Sequence, residues 1–349
     1  MSQRLRQQEP TPRSARAQGA SGRLLVRRLL PALLALLLAG CSSPNMLTPQ
    51  GPGAARIADL WWLMCGVGGV VYLLVMAFLL VGLFRPRSGS TYATRPAEGS
   101  RTVFWFGAVI PGIILIAMLG ATLYTLAALQ EPEEAEALTV EVIGHQFWWE
   151  VIYPDLGFVT ANEIHIPAGQ PVRVHMTAAD VIHSFWVPEL HGKLDMIPGD
   201  VTTFWIEADA PGVYYGECAE FCGVQHANMQ FLVVADGQAE FEAWVAEQQT
   251  PALLPAEGAA LDGWRIYQRA GCASCHTVAG TPSSGDVGPD LTHLASRRTL
   301  AAATLENNRG NLGGWIINPQ SIKPGNLMPP TNLSGPELQA LLTFLETLE

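Results

Sequence analysis

Apolar and polar positions change rhythm several times along this chain, and each change predicts a different element. Leu29 to Ala39 is apolar but shorter than the ~20 residues a helix needs to cross the hydrocarbon core of a bilayer. Pro, Gly and Asn punctuate the stretch from Pro44 to Ala55, which reads as a loop. Two longer runs, Leu60 to Phe84 and Val103 to Leu129, carry no charge and exceed the spanning length. They predict a transmembrane hairpin over residues 59–130, with spans at 60–84 and 103–129. Pro111 should kink the second span against a neighbouring helix, and Cys65 in the first reads as a small apolar packing residue.

From Leu138 to Val234 the period falls to two. Segments such as Val172-Arg-Val-His-Met176 and Thr202-Thr-Phe-Trp-Ile-Glu207 alternate, and Pro167-Ala-Gly169, Ile197-Pro-Gly199 and Ala210-Pro-Gly212 interrupt them. This is the pattern of an all-β Greek-key sandwich. Residues 131–249 are assigned to that domain, with a weak amphipathic helix from Gly237 to Gln249 at its end. Residues 250–258 read as a linker, semi-stiff because of Pro251 and Pro255. Residues 259–349 read as helical. A short helix from Gly263 closes at Gly271, and Ser334 with Glu337 three residues on caps a last helix that runs to Leu348.

Composition supports the membrane reading: hydrophobic residues make up 49% and charged ones only 15%. Arginines concentrate before residue 29, with Glu9 the only acid in 1–40. An Arg-rich start followed by an apolar run has the shape of a secretory signal, so 1–40 is expected to be removed. The run ends in Leu38-Ala-Gly-Cys41, like a bacterial lipobox, which predicts lipidation of Cys41 and a tether over 41–58; an uncleaved signal anchor is the alternative. Arg85, Arg87, Arg95 and Arg101 lie between the spans, and Glu131, Glu133, Glu134 and Glu136 follow the second. The positive-inside rule puts the hairpin loop in the cytoplasm and both ends outside, in agreement with the export signal. The net charge of the whole chain is −11, and without the seven Arg and one Glu of 1–40 it becomes −17; that acidic exported body would attract a basic soluble partner or simply keep the exported domains soluble. No nucleic-acid partner is expected.

Two clusters carry chemistry. Cys218-Ala-Glu220-Phe-Cys222-Gly-Val-Gln-His226-Ala-Asn-Met229 packs two thiols, an imidazole and a thioether into one short loop. Soft sulfur with imidazole favours copper, zinc or iron–sulfur chemistry, and the thioether argues for copper over zinc. Two thiols suggest bridging of two coppers, with His183 supplying a second imidazole; a disulfide or a zinc site is the plainer reading. The second cluster, Cys272-Ala-Ser-Cys275-His276, is the attachment signature of a c-type haem. The thiols would form thioethers, His276 would be the proximal iron ligand, and Met328, the only Met after Met229, the distal one. A redox or zinc use of this thiol pair is the alternative. His145, His165, His175 and His191 lack ligand-like spacing and read as structural or surface residues, and His293 reads as a surface residue.

The copper cluster, with His183 ahead of it, closely resembles the binuclear copper (CuA) loop of the cytochrome c oxidase subunit II family. The resemblance implies a cupredoxin sandwich with Cys218 and Cys222 as bridging thiolates. His183 and His226 would each bind one copper, Met229 and the Glu220 carbonyl would be weak axial ligands, and the Glu220 side chain would reach a magnesium shared with subunit I. Lys193 and Asp195 fall in the stretch that faces subunit I in the family. Gly144-His-Gln-Phe147-Trp148-Trp149 resembles the family's electron-receiving aromatic box, whose first position, commonly Trp, is Phe147 here. A proton-path Glu frequent near the second span is absent, with Phe104 standing there, so no proton route is implied. The segment 259–349 resembles a class I cytochrome c, all-α.

The whole chain from Cys41 to Glu349 thus resembles an oxidase subunit II with a cytochrome c fused behind it: a multidomain protein of transmembrane hairpin, cupredoxin domain and haem domain. That implies electron transfer from cytochrome c or an upstream respiratory complex, through haem c and CuA, to subunit I, where O2 is reduced with proton pumping. It also implies subunit III as a partner, contact with membrane lipid, and a multi-pass protein of the bacterial inner membrane with both metal domains on its outer face. Fusion would make the donor step intramolecular. A nitric oxide reductase subunit and a membrane-anchored electron shuttle or copper-delivery protein are the rival readings.

Overall fold

The computed structural model describes residues 44–85, 96–130 and 138–349, and from Pro44 onward the chain forms one compact unit. The proposed signal and Cys41 lie outside the described residues.

Helix α1 (Pro52–Phe84) begins earlier than the uncharged run. The Pro–Gly punctuation that reads as a loop in fact starts the helix: Pro52 sits in its first turn, where a missing N–H costs nothing. This first turn is built into the exported domain. The Gln50 N–H donates to the Glu189 carbonyl (2.7 Å) and the Ala54 N–H to the Leu190 carbonyl (2.9 Å). A Cβ on Gly51 would lie 2.1 Å from the Glu207 carbonyl oxygen, so only glycine fits. The second apolar stretch comprises α2 (Pro96–Phe104), a π-helical turn (Trp105–Val109) and α3 (Ile110–Ala128). The π turn stands just ahead of Pro111, which cannot donate to the carbonyl one turn back and so disturbs the ladder there. Both stretches are long and apolar enough to cross a membrane, and no residue of their most apolar windows is buried. At the outer end the Arg56 guanidinium donates to the Ala128 carbonyl and the Trp205 indole N–H to the Leu129 carbonyl (2.9 Å).

Ten strands follow: β1 (Thr139–His145), β2 (Trp148–Tyr153), β3 (Phe158–Ala161), β4 (Glu163–Pro167), β5 (Val172–Ala178), β6 (His183–Trp186), β7 (Leu194–Met196), β8 (Thr202–Ile206), β9 (Gly212–Cys218) and β10 (Gln230–Asp236). They form two five-stranded sheets, ordered β3-β2-β1-β5-β8 and β4-β10-β9-β6-β7. The β1–β5 and β10–β4 pairs are parallel and the others antiparallel, so the chain crosses between sheets as a Greek key does. Alternation in β1, β2 and β5 puts Val140, Val142, Val151, Val172 and Val174 inside. Trp149, Phe185 and Phe231 meet edge-on or stacked at the centre, with ring centroids 4.5–6.1 Å apart. Each such burial contributes roughly 1.5–3 kcal/mol. α4 (Gln238–Gln248) lays Trp244 on His165, Tyr153 and Phe158.

The C-terminal domain packs α5 (Gly258–Arg269) across α7 (Gly335–Leu345), with α6 (Arg309–Ile317) beside α7. α5 begins at Gly258, ahead of the expected Gly263, because Ala259, Ala260 and Leu261 are good helix formers. Gly263 lies at the crossing, where a Cβ would stand 2.0 Å from the Ala340 carbonyl oxygen. Glu337 accepts from the Ser334 N–H (2.9 Å) and hydroxyl (2.7 Å), the expected cap. His293 is not a surface residue: it is 5% exposed and its Nδ1 bonds the Glu349 carbonyl (2.7 Å), because the chain end folds back over it.

His191 links anchor and sandwich. It is buried against Phe204 and Trp205, with Gly53 of α1 pressed on its ring and neither ring nitrogen in a hydrogen bond. Burial pulls its pKa from 6.5 to about 4, with Arg56 adding in the same direction. The unfolded chain therefore binds the extra proton first as pH falls. His191's contribution is whole above pH 6.5, declines through the window from 6.5 to 4, and is gone below it. That gap is worth about 3 kcal/mol. Denaturant unfolding of the solubilised chain should lose about this much more stability between pH 7 and 4 in wild type than in His191→Leu; equal losses would refute the assignment.

Candidate metal centres

The base of the Cys218–Met229 loop is closed by the sheet. The Cys218 N–H donates to the Met229 carbonyl (2.9 Å), where β9 runs into β10. β6 pairs with β9 through Phe185 and Cys218, and the Ala219 N–H donates to the Ser184 carbonyl (2.9 Å), which brings His183 to the loop. Cys218 Sγ and Cys222 Sγ stand 3.8 Å apart, nearly twice a disulfide's length, and both thiols are free. His183 Nδ1 lies 3.8 Å from Cys218 Sγ, and His226 Nδ1 lies 3.8 Å from Cys222 Sγ. Met229 Sδ is 3.7 Å from Cys222 Sγ, and the Glu220 carbonyl oxygen is 3.2 Å from Cys218 Sγ. The donors thus form two halves, one imidazole and one weak donor for each thiol. Two soft thiols with imidazole and thioether suit copper, so the residues present fit a copper pair.

The loop's electrostatics follow from its crowding. The close hydrogen bond between the thiols pushes their pKa values apart: that of Cys218 falls and that of Cys222 rises. Burial works against the His183 imidazolium, but hydrogen bonds to Cys218 and Asp180 raise its pKa on balance. Asp180 escaped the sequence reading. Its Oδ1 accepts from His183 Nε2 (2.8 Å), which fixes the tautomer and leaves Nδ1 free to ligate. A carboxylate three residues before a candidate ligand, in the turn leading to β6, was the available signal.

Among the described residues, His183, Cys218 and Cys222 form the only set of three or more His, Cys or acidic side chains with all ligand atoms within 4.8 Å of one another; Glu220 does not join it through its carboxylate. His145, His165 and His175 pair with Glu150 (3.0 Å), Asp236 (2.7 Å) and Thr203 (2.9 Å). The aromatic box is divided. Phe147 is 7% exposed and touches the copper loop at Gly223, Trp148 stacks on His145 (4.4 Å), and Trp149 is a core residue edge-on to His183 (6.1 Å). An open groove of about 620 Å³ reaches Cys218 and His226 from the side of Lys193 and Trp186.

In the C-terminal domain, Cys272 and Cys275 follow α5 on a short 3₁₀ turn set off by Gly271 at φ 82. His276 Nδ1 bonds the Pro289 carbonyl (2.8 Å), which leaves Nε2 available, and burial lowers its pKa. Gly288 is required beside it, since a Cβ would lie 2.6 Å from His276 Cε1. Arg297 donates from Nη2 to the Asp290 carbonyl (2.6 Å), but its buried Nε has no partner. Cys272, Leu291 and Met328 border the same apolar core. An unpaired guanidinium N–H, two free thiols and a tautomer-fixed imidazole around an apolar centre fit a haem with acidic propionates.

Fold and sites define a membrane-anchored protein with an outward-facing cupredoxin-like domain and a cytochrome c domain behind it. The family model described as "Cytochrome C oxidase subunit II, periplasmic domain" matches residues 158–236, and that for cytochrome c matches 260–349. The chain is 36% identical over 334 residues to the cytochrome c oxidase subunit 2 of Alkalihalophilus pseudofirmus, covering 92% of this chain and 97% of that one. It is 33% identical to that of Bacillus subtilis, again over 92% and 97%. A crystal structure of the periplasmic domain of subunit II of cytochrome oxidase from Bradyrhizobium japonicum superposes with a TM-score of 0.32 at 31% identity, covering 35% of this chain and 96% of that one. The chain belongs to the cytochrome c oxidase subunit 2 family, with a cytochrome c domain at its C-terminal end. It is therefore a subunit of a haem–copper oxidase and a partner of subunit I. Family membership implies a copper centre of the CuA type and a haem, and the His183, Cys218 and Cys222 group is compatible with the first.

Proposed function

We propose that this chain is the electron-receiving arm of its oxidase. When bound, the haem and the copper pair supply one-electron carriers in series, from a cytochrome c or an upstream respiratory complex to subunit I. The observation that carries this reading is the two-halved donor set around Cys218 and Cys222. Cys218 and Cys222 would supply the shared thiolates for the copper pair, His183 and His226 one imidazole each, and Met229 and the Glu220 carbonyl the weak donors. Asp180 keeps His183 in its ligating tautomer. Cys272 and Cys275 would anchor the haem, His276 and Met328 would hold its iron, and the unpaired Nε of Arg297 would take a propionate.

The groove beside Cys218 and Lys193 is the side offered to subunit I, where the Glu220 carboxylate meets a magnesium; subunit III completes the assembly. Residues 1–40 are the export signal, Cys41 is acylated, and the tether expected over 41–58 gives way at Pro52 to the first helix of the hairpin, which runs on to residue 130. Residues 131–249 form the copper domain, 250–258 the linker and 259–349 the haem domain. The protein resides in the bacterial inner membrane with both metal domains outside. Its relatives are oxidase subunits, so the nitric oxide reductase and shuttle readings are dropped.

Metal analysis of the purified full chain tests this. A mixed-valence copper pair and one covalent haem per chain are expected. Zinc, or a single copper, at the Cys218–Met229 loop would overturn the reading.

A further inference from the structure

Lys323 is a buried amine in an unusual setting, and burial pulls its pKa down from 10.5 to about 7. It is 1% exposed and lies on the loop that leads to Met328. Its Nζ donates to three backbone carbonyls: Phe147 at 3.1 Å, Asn228 at 2.8 Å and Ala301 at 2.9 Å. An ammonium has three donors and no acceptor, so these bonds satisfy it completely. Two of the three carbonyls belong to the other domain, and both are next to the copper loop. Asn228 immediately precedes Met229, and the Phe147 ring touches Gly223.

The sandwich returns the gesture. Glu163 on β4 is 4% exposed, and its carboxylate accepts from the Arg298 N–H (3.1 Å), the Thr299 N–H (2.8 Å) and the Thr299 hydroxyl (3.0 Å) of the C-terminal domain. Each domain thus inserts one buried charge of opposite sign into the other, mainly on to main-chain groups. Between these points Ala301, Ala302 and Ala303 hold left-handed φ of 55, 57 and 57, which side chains disfavour. That strained run aims the Ala301 carbonyl at Lys323 and the Ala302 carbonyl at the Gln230 N–H (3.2 Å). Buried charges satisfied by fixed main-chain groups demand one geometry. They set register more than they add attraction.

We infer that Lys323 is the positioning residue that locks the C-terminal domain in one register on the copper loop, with Glu163 as its counterpart. The domain then works docked, not swinging on residues 250–258, and it covers the copper loop on the Phe147 side. The functional half of this inference rests on the proposed electron route. In that route one electron leaves a ferrous haem iron, which becomes ferric, and reduces the copper pair by one electron.

The test compares full-length wild type, Lys323→Met and Glu163→Ala. Hydrogen exchange is read at residues 224–232 and 299–304, together with the single-turnover haem-to-copper transfer rate. In both variants exchange at these segments should quicken at least about tenfold, and transfer should slow by about 10- to 100-fold, as expected for a misplaced donor. Haem and copper spectra should match wild type, which separates lost register from a lost site. Wild-type exchange and wild-type transfer in either variant, with spectra intact, would overturn the inference. The exchange readout needs neither metal, so a wild-type chain without copper would sink the proposed function and still leave the register to be judged.

Discussion

Replacing Cys222 with serine is expected to abolish the copper pair and, with it, oxidase turnover. Cys222 is the hub of the donor set: its sulfur lies 3.8 Å from Cys218 Sγ, 3.8 Å from His226 Nδ1 and 3.7 Å from Met229 Sδ. A serine hydroxyl is hard, stays protonated and cannot bridge soft metals as a thiolate does. The fold should survive, because Cys222 sits in the loop and not in β9 or β10. Turnover should fall well beyond the ~10- to 100-fold that loss of an outer-shell partner costs. Asp180→Asn supplies that comparison: its copper affinity should fall by about 10- to 100-fold with both coppers still able to bind. Copper content and the mixed-valence signal of the purified variants decide the matter. A Cys222→Ser protein that keeps two coppers and near-normal turnover would refute the bridging role.

Legibility in the sequence followed the range of the forces involved. Uncharged length shows in any window, so the hairpin was plain. Period-two alternation is equally local, and the strands around Val140, Val151 and Val172 sit where it puts them. Cys218 to Met229 share one loop, and Cys272 to His276 one turn, so both clusters could be read as words. His183 is legible in the sequence as the second imidazole, and the β6–β9 pairing is what carries it to Cys218.

What escaped was decided at longer range. Pro52 reads as a loop residue until Glu189, Leu190 and Glu207 are seen to receive the segment around it. His293 reads as polar and exposed until the chain end closes over it. Lys323 and Glu163 carry no local pattern at all, and their partners lie across a proline-containing linker that by itself suggests freedom. A charged residue in a loop is ordinarily solvated. Only the distances from Lys323 to main-chain carbonyls, and from Glu163 to main-chain N–H groups of the other domain, reveal these two as parts of a joint.

Met328→His is expected to lower the haem potential strongly while leaving the haem attached. The Met328 loop is tightly held: its N–H donates to Asn326 Oδ1 (2.8 Å), its carbonyl accepts from Gln320 Nε2 (3.0 Å), and Pro329 and Pro330 follow. Side-chain identity at 328 should therefore change the iron's second axial partner without moving the backbone. Thioether ligation favours the ferrous state relative to a second imidazole. Axial ligands set haem potentials over a range of about 0.8 V, and a drop on the order of 0.2 V is expected here. For one electron about 59 mV is a factor of ten, so the variant's equilibrium with its reductant would worsen by more than three such factors. Forward transfer to the copper loop would become more downhill, yet steady-state turnover should collapse because the haem is hardly reduced by its donor. That combination separates a ligand change from a damaged domain, which would slow both steps. Redox titration of the haem band measures it directly, with attachment through Cys272 and Cys275 verified by covalent haem staining. An unchanged potential in Met328→His would mean that another residue holds the sixth position of the iron.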